Sequence, residues 1–122
     1  MEKMMERRDD ALYPEMIRNL PEIDVPIPGV RGWLLQGKQK QVVFFEIEAG
    51  TQIPPHAHCT QWGIMVKGKI SLTIGGETKV YGKGDWYFIP AGVVHSATFP
   101  SRVNVIDFFD DPARYRPKTR NS

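Results

Sequence analysis

The chain has 122 residues, 16 basic and 14 acidic, for a net charge of +2. That length holds one domain with a sizeable core, and so even a charge balance gives no reason to expect nucleic acid or an anionic membrane as a partner. Cys59 is the only cysteine, which excludes an intrachain disulfide. The charged residues 1–10 contain no apolar signal segment, and no apolar run reaches the ~20 residues of a membrane span, so a cytoplasmic protein is expected.

Residues 1–29 read as an N-terminal arm. Helix formers in 1–20 are interrupted by Pro14 and Pro21, which predicts a short helix or an extended arm. Pro21, Pro26 and Pro28 then enforce extended or turn geometry, predicting a strand wrapped along a sheet edge. Residues 30–111 read as the body of the fold. Short strands recur there between turn signals, with candidates at 30–36, 41–49, 61–66, 70–74, 78–81, 85–89 and 102–109. Gly75-Gly76 predicts a two-residue hairpin, because glycine tolerates the positive φ angles of such turns. Many short antiparallel strands without a long helical period point to an all-β sandwich or barrel. Residues 112–122 carry Arg114, Arg116, Lys118 and Arg120 and read as a solvated basic tail. A nucleic-acid contact is disfavoured because only Tyr115 interleaves as a stacking residue.

Side-chain alternation sorts the strand at 41–49 into two faces. Val43, Phe45 and Ile47 share one, and Val42, Phe44, Glu46 and Glu48 the other. Val42 and Phe44, helped by Trp33 and Leu35, leave an apolar surface that a lone small barrel would expose. A homodimer is the expected cover, with the N-terminal arm folded over the same face as the alternative.

All three histidines fall in one spaced pattern. Gly50-x5-His56-x-His58-x2-Gln61-x6-Gly68 is followed by Gly84-x5-Pro90-x-Gly92-x2-His95. On an extended strand His56 and His58 point the same way, and His95 follows a Pro-x-Gly turn on another strand. Three imidazoles in this register predict a transition-metal site. Gln61 can add an amide oxygen or serve as strand filler. Cys59 has the opposite parity to both histidines and reads as a small apolar residue. Asp107 shares a face with Val103, Val105 and Phe109, so its carboxylate is expected to face the interior. There it serves as a catalytic or substrate-contacting group; the alternatives are a salt bridge to a neighbouring arginine or a place at the strand end facing water. Asp110 and Asp111 precede Pro112 and read as turn residues. Trp62, Trp86, Tyr87, Phe45, Phe99 and Phe109 are candidates for a pocket wall, and Met65 for the core.

These residues resemble the cupins, whose first motif reads G-x5-H-x-H-x(3,4)-E-x6-G and whose second reads G-x5-P-x-G-x2-H-x3-N. Gly50, His56, His58, Gly68, Gly84, Pro90, Gly92 and His95 match. Gln61 stands in place of the glutamate after a shortened loop, and Phe99 replaces the closing asparagine. The resemblance spans roughly residues 41–109. It implies a double-stranded β-helix, or jelly-roll, barrel holding one divalent ion through His56, His58, His95 and Gln61. Nickel, iron, manganese, zinc, cobalt and copper all suit such ligands.

Glutamine for glutamate, with Asp107-x-Phe109 on the strand after the second motif, is similar to the cupins that linearise unsaturated uronates. That likeness implies isomerisation of a small anionic sugar acid. Asp107 would move the proton, Phe109, with Phe45 and Tyr87, would pack the substrate, and Arg114 or Arg102 would hold its carboxylate. A metal-dependent dioxygenase and a non-enzymatic small-molecule sensor are the alternatives.

Overall fold

The structure, a computed structural model, describes residues 11–119. Among the described residues are one short helix, α1 (Glu15–Arg18), and nine strands: β1 (Val30–Gln36), β2 (Gln41–Ile47), β3 (Gln52–His56), β4 (Gln61–Lys67), β5 (Ile70–Ile74), β6 (Glu77–Tyr81), β7 (Trp86–Ile89), β8 (His95–Thr98) and β9 (Val103–Phe109). All strand pairings are antiparallel. They form a five-stranded sheet ordered β1-β2-β9-β4-β7 and a four-stranded sheet ordered β3-β8-β5-β6. The fold is all-β, as expected. Among the described residues no helix is long and apolar enough to cross a membrane.

The alternation of β2 and β9 sets the inside of the barrel. Val43, Phe45 and Ile47 are buried, as are Val103, Val105, Asp107 and Phe109 from the neighbouring strand. Met65, Ile70, Leu72, Ile89 and Ala97 close the core from both sheets. Gly75 and Gly76, both at positive φ, turn β5 into β6 with Ile74 paired to Glu77, so the expected two-residue hairpin is present. Strands β3 and β8 were not among the ranges drawn from periodicity, although the histidine pattern had placed extended strand at His56 and another strand at His95. Pro54-Pro55 in β3 and the brevity of β8 hide them from a periodicity search.

The two terminal segments do more than flank the barrel. Residues 1–10 of the predicted arm lie outside the described residues. Tyr13 is buried with its ring edge-on to Trp33 and Phe44, and its hydroxyl donates to the Phe45 carbonyl at 2.8 Å. The stretch after α1 makes only isolated bridges, Glu22 with Trp33 and Ile23 with Pro117, rather than a wrapping strand.

The C-terminal segment departs from the solvated tail expected of it. The Asp24 amide donates to the Arg116 carbonyl at 2.8 Å and the Lys118 amide to the Glu22 carbonyl at 2.8 Å. Gln41, 1% exposed at the start of β2, pins the same segment. Its Nε2 donates to the Pro112 and Tyr115 carbonyls at 3.0 and 2.9 Å, and its Oε1 accepts the Tyr115 amide at 2.9 Å. The two termini therefore meet as a strap across one end of the barrel. Asp111 takes the expected turn role, accepting from the Ala113 amide at 2.8 Å, and Asp110 pairs with Lys40.

Replacing Gln41 by alanine takes its partner from the Tyr115 carbonyl and from the Tyr115 amide, and leaves the Pro112 carbonyl to Gln36 Nε2 alone. The expected cost is roughly 2 kcal/mol, read in thermal unfolding as a Tm lower by roughly 5–10 °C. An unchanged Tm would show that the strap is not held by this side chain.

Candidate metal centre

His56 closes β3 and His95 opens β8, and the two are direct cross-strand partners. A register shift between Ile53 and His56 breaks the strand's alternation at this point. His58 lies beyond β3, not on the extended strand expected to carry both residues. Its carbonyl accepts the amide of Gly92 at 3.0 Å. Gly92 sits at φ +81°, a left-handed conformation that glycine takes without steric cost, so the Pro90–Gly92 turn of the second motif fixes the loop of the first.

The three imidazoles converge. One ligating nitrogen from each lies within 4.8 Å of the others. Every Nδ1 faces a backbone carbonyl at 2.9 Å: His56 faces Pro54, His58 faces Cys59 and His95 faces Val93. A carbonyl can only accept, so each Nδ1 carries the hydrogen and each Nε2 presents a lone pair. His58 Nε2 and His95 Nε2 are 3.2 Å apart. Two acceptors at that separation repel unless a cation or proton lies between them. Protonation is disfavoured, because burial, with the Arg114 charge nearby, lowers His58 to about 4, and burial also lowers His95. The arrangement fits a metal ion.

Gln61 begins β4 beside this cluster. Its Nε2 donates to Asp107 Oδ1 at 3.0 Å, while its buried Oε1 has no hydrogen-bond partner among the described residues. An amide turned by its nitrogen and left with a bare oxygen is what a fourth ligand would be. Cys59 is not part of the cluster and packs against the core.

Asp107 is 2% exposed and lines the same cavity. The arginine pairing left open by the sequence does not occur. Instead Tyr87 Oη donates to Oδ1 at 2.7 Å, and Oδ2 has no partner among the described residues. Burial pushes the carboxyl up to about 6, against the lowering pull of the Tyr87 and Gln61 bonds. The Tyr87 hydroxyl is itself raised well above its ordinary value by burial and by the adjacent carboxylate. Gly63, opposite Asp107 on β4, makes this pair possible, since a Cβ there would collide with Asp107 Oδ1 and the Tyr87 ring.

The cavity measures about 490 Å³, the size of a small-ligand site. Phe45, Tyr87, Phe99, Phe109 and Arg114 line it with the histidines, Gln61 and Asp107. Arg114 comes from the strap, its guanidinium carbon 4.3 Å from the Tyr115 ring centroid and 5.7 Å from that of Phe109. Its buried Nε lacks a partner among the described residues. Three sequence-based candidates lie elsewhere. Trp62 and Trp86 stack on the outer face of the five-stranded sheet, because the register of β4 and β7 sends Gln61 and Tyr87 inward. Arg102 pairs with Glu46 rather than facing the cavity. The strap's closing role was missed, and its one legible signal was Tyr115 among the basic residues.

A family model described as a cupin domain matches residues 43–109, more than half of the chain. A solved RmlC-like cupin from Shewanella frigidimarina is 28% identical, with 88% of this chain and 94% of that one covered and a TM-score of 0.71. KdgF from a Halomonas species is 25% identical over 75% of this chain and 88% of that one, with a TM-score of 0.68. Salicylate 1,2-dioxygenase from Pseudoaminobacter salicylatoxidans shares the fold at 19% identity, over 80% of this chain and 31% of that one, with a TM-score of 0.66. None of the curated proteins matches the chain.

Purified chain is expected to hold a divalent transition ion through dialysis, measured by elemental analysis. His95→Ala should weaken that binding by more than the roughly 10–100-fold that loss of even an outer-shell partner costs. Equal metal retention by the variant would remove the assignment.

Proposed function

The chain belongs to the cupin family, and from that premise we propose a metal-dependent enzyme that isomerises a small anionic sugar acid by opening the ring of an unsaturated uronate. One observation carries this proposal. Three inward-facing Nε2 lone pairs and an orphaned amide oxygen share a cavity with a buried carboxylate bonded at one oxygen only.

His56, His58, His95 and Gln61 would hold the ion, which supplies Lewis acidity toward a substrate oxygen, undiminished because all four ligands are neutral. Arg114, with an unmatched Nε, adds a second positive charge at the same cavity. A site so charged favours an anionic substrate, and Arg114 is the group to hold its carboxylate. Phe109 packs the sugar face, with Phe45 and Tyr87 completing the wall. The substitution of Gln61 for a glutamate and the Asp107-x-Phe109 pair both match the pattern of the uronate-linearising cupins.

Asp107 moves the proton. In ring opening the hydroxyl proton at C1 passes to Oδ2, and C1 becomes a carbonyl as its bond to the ring oxygen breaks. The proton then returns to that oxygen, leaving an enol that tautomerises to the ketone. Nothing is oxidised and no water is consumed. Tyr87 Oη and Gln61 Nε2, both on Oδ1, hold the carboxylate so that Oδ2 is the oxygen left to act. The lone Cys59 suits a reducing compartment, and a cytoplasmic location is part of the proposal.

Asp107→Asn is expected to keep its metal and lose about 10²–10⁴-fold in turnover of unsaturated uronate, as removal of a general acid–base does. Assays run under argon should match those in air. Oxygen-dependent turnover with bound iron would favour the dioxygenase, and a ligand-induced rise in Tm without turnover would favour a binding module. Wild-type activity in Asp107→Asn would end the proton-transfer role.

A further inference from the structure

The cavity is longer than the polar site at one end of it. In the five-stranded sheet Asp107 pairs with Val43, and Ile47 lies four residues further along β2. Phe45, Ile47 and Val105 face the cavity on that side. In the four-stranded sheet His95 pairs with Ile74, and Ile70 lies four residues away along β5. Ile70, Leu72 and Ala97 face the same space. Four residues of strand span about 13 Å, so each sheet independently gives the same depth beyond the imidazoles and the carboxylate.

The character of the wall changes along that length. Tyr87 shares a row with Asp107 through Gly63, and His56 shares one with His95. Among the described residues, every strand residue that lines the cavity beyond those rows is apolar, Ser96 excepted. Ser96 pairs with Thr73, and both line the groove on the outer face of the four-stranded sheet. Ile53 and Phe99 add to the apolar wall. The other charged residues lining the cavity, Asp24 and Arg116, come from the terminal segments and not from the barrel.

A sugar hydroxyl placed in that apolar chamber would give up water without gaining a partner, which costs free energy. Protein interiors hold few voids larger than a water molecule, and an apolar hollow stays dry until a hydrocarbon enters it. One sugar ring seated among the histidines does not reach the row of Ile47 and Ile70. We infer that the ligand of this cavity is an acid in two parts: an oxygen-bearing anionic head at the histidines and Arg114, and an uncharged hydrocarbon arm in the chamber. The inference rests on the proposed reaction only for the identity of the head. Within that reaction, the substrate is a uronate acylated or alkylated on a ring hydroxyl other than that at C1. Ala97 and Leu72, facing each other across β8 and β5, set how long the arm can be.

The test titrates the full chain, with its bound ion, with 2-hydroxybutanoate, 2-hydroxyhexanoate and 2-hydroxyoctanoate, which share a head and differ in the arm. Calorimetry is expected to show Kd falling about fourfold for each added methylene until the chamber is full. Ala97→Leu, growing into the hollow, should move the best arm length shorter without lowering Tm. Leu72→Ala should move it longer. Three acids that bind alike, or affinity that falls with length, would overturn the inference. So would an Ala97→Leu chain that loses stability, since the space would then already be filled by protein. Turnover separates this inference from the reaction. An acylated unsaturated uronate opened at a lower KM than the bare sugar acid supports both. Length-dependent binding with no uronate turned over leaves the chamber standing and removes the reaction, whereas bare uronate opened alongside a flat binding series removes the chamber alone.

Discussion

Three backbone carbonyls decide the character of this site. By taking the Nδ1 hydrogens of His56, His58 and His95, they turn three Nε2 lone pairs toward one point and deny the rings the option of bonding one another. The carbonyls belong to Pro54, Cys59 and Val93, each within two residues of its histidine, so the orientation is built locally. What the fold adds is the pairing of β3 with β8, which sets His56 opposite His95, and the bond from Gly92 to the His58 carbonyl, which brings in the third ring. Burial lowers His58 and His95 and so favours their neutral form, and neutral imidazole is the ligating form.

The barrel was legible because most of its strands announce themselves twice, by alternation and by a glycine or proline turn. β1 and β5 begin and end where the pattern places them. The histidine site was legible for a different reason, since spacing within a motif survives small errors in where a strand ends. His58 shows this, being off the strand yet still on the ion-sized point. Periodicity alone did not say which way Trp62 and Trp86 face. β4 and β7 are apolar on both sides, so their alternation has no phase until the register with β9 is known. The strap was hidden by composition. Arg114, Arg116 and Lys118 read as solvent-seeking, and the residue that holds their backbone down, Gln41, lies more than 70 positions away in the chain.

β9 makes one strand answer to two environments. Its inward residues include a carboxylate that burial alone would neutralise, and its outward residues are among the most apolar on the surface. Holding Asp107 there draws on two donors from the same side of β9: Gln61 from the adjacent β4 and Tyr87 from β7 beyond it. It also requires Gly63 between them, because any side chain would fill the space the carboxylate and phenol share. These three residues thus follow from one requirement, that of seating a charge inside an apolar wall.

The distribution of unmatched polar atoms separates structural polarity from functional polarity. Gln41 and Thr51 are buried, and their side chains are satisfied by backbone groups within the chain. Gln61 Oε1 and Arg114 Nε are buried and unsatisfied, and both residues line the cavity that the histidine lone pairs face. Each such deficit costs about 1–3 kcal/mol. Asn104 Nδ2, also unmatched, lies instead beside Tyr13 on the far side of β9. A fold that satisfies a glutamine buried at one end of β2 yet leaves an amide oxygen and a guanidinium bare around one cavity has placed those deficits where a ligand would cancel them. The signs also agree: the same cavity offers lone pairs for a cation and an N–H for an anion.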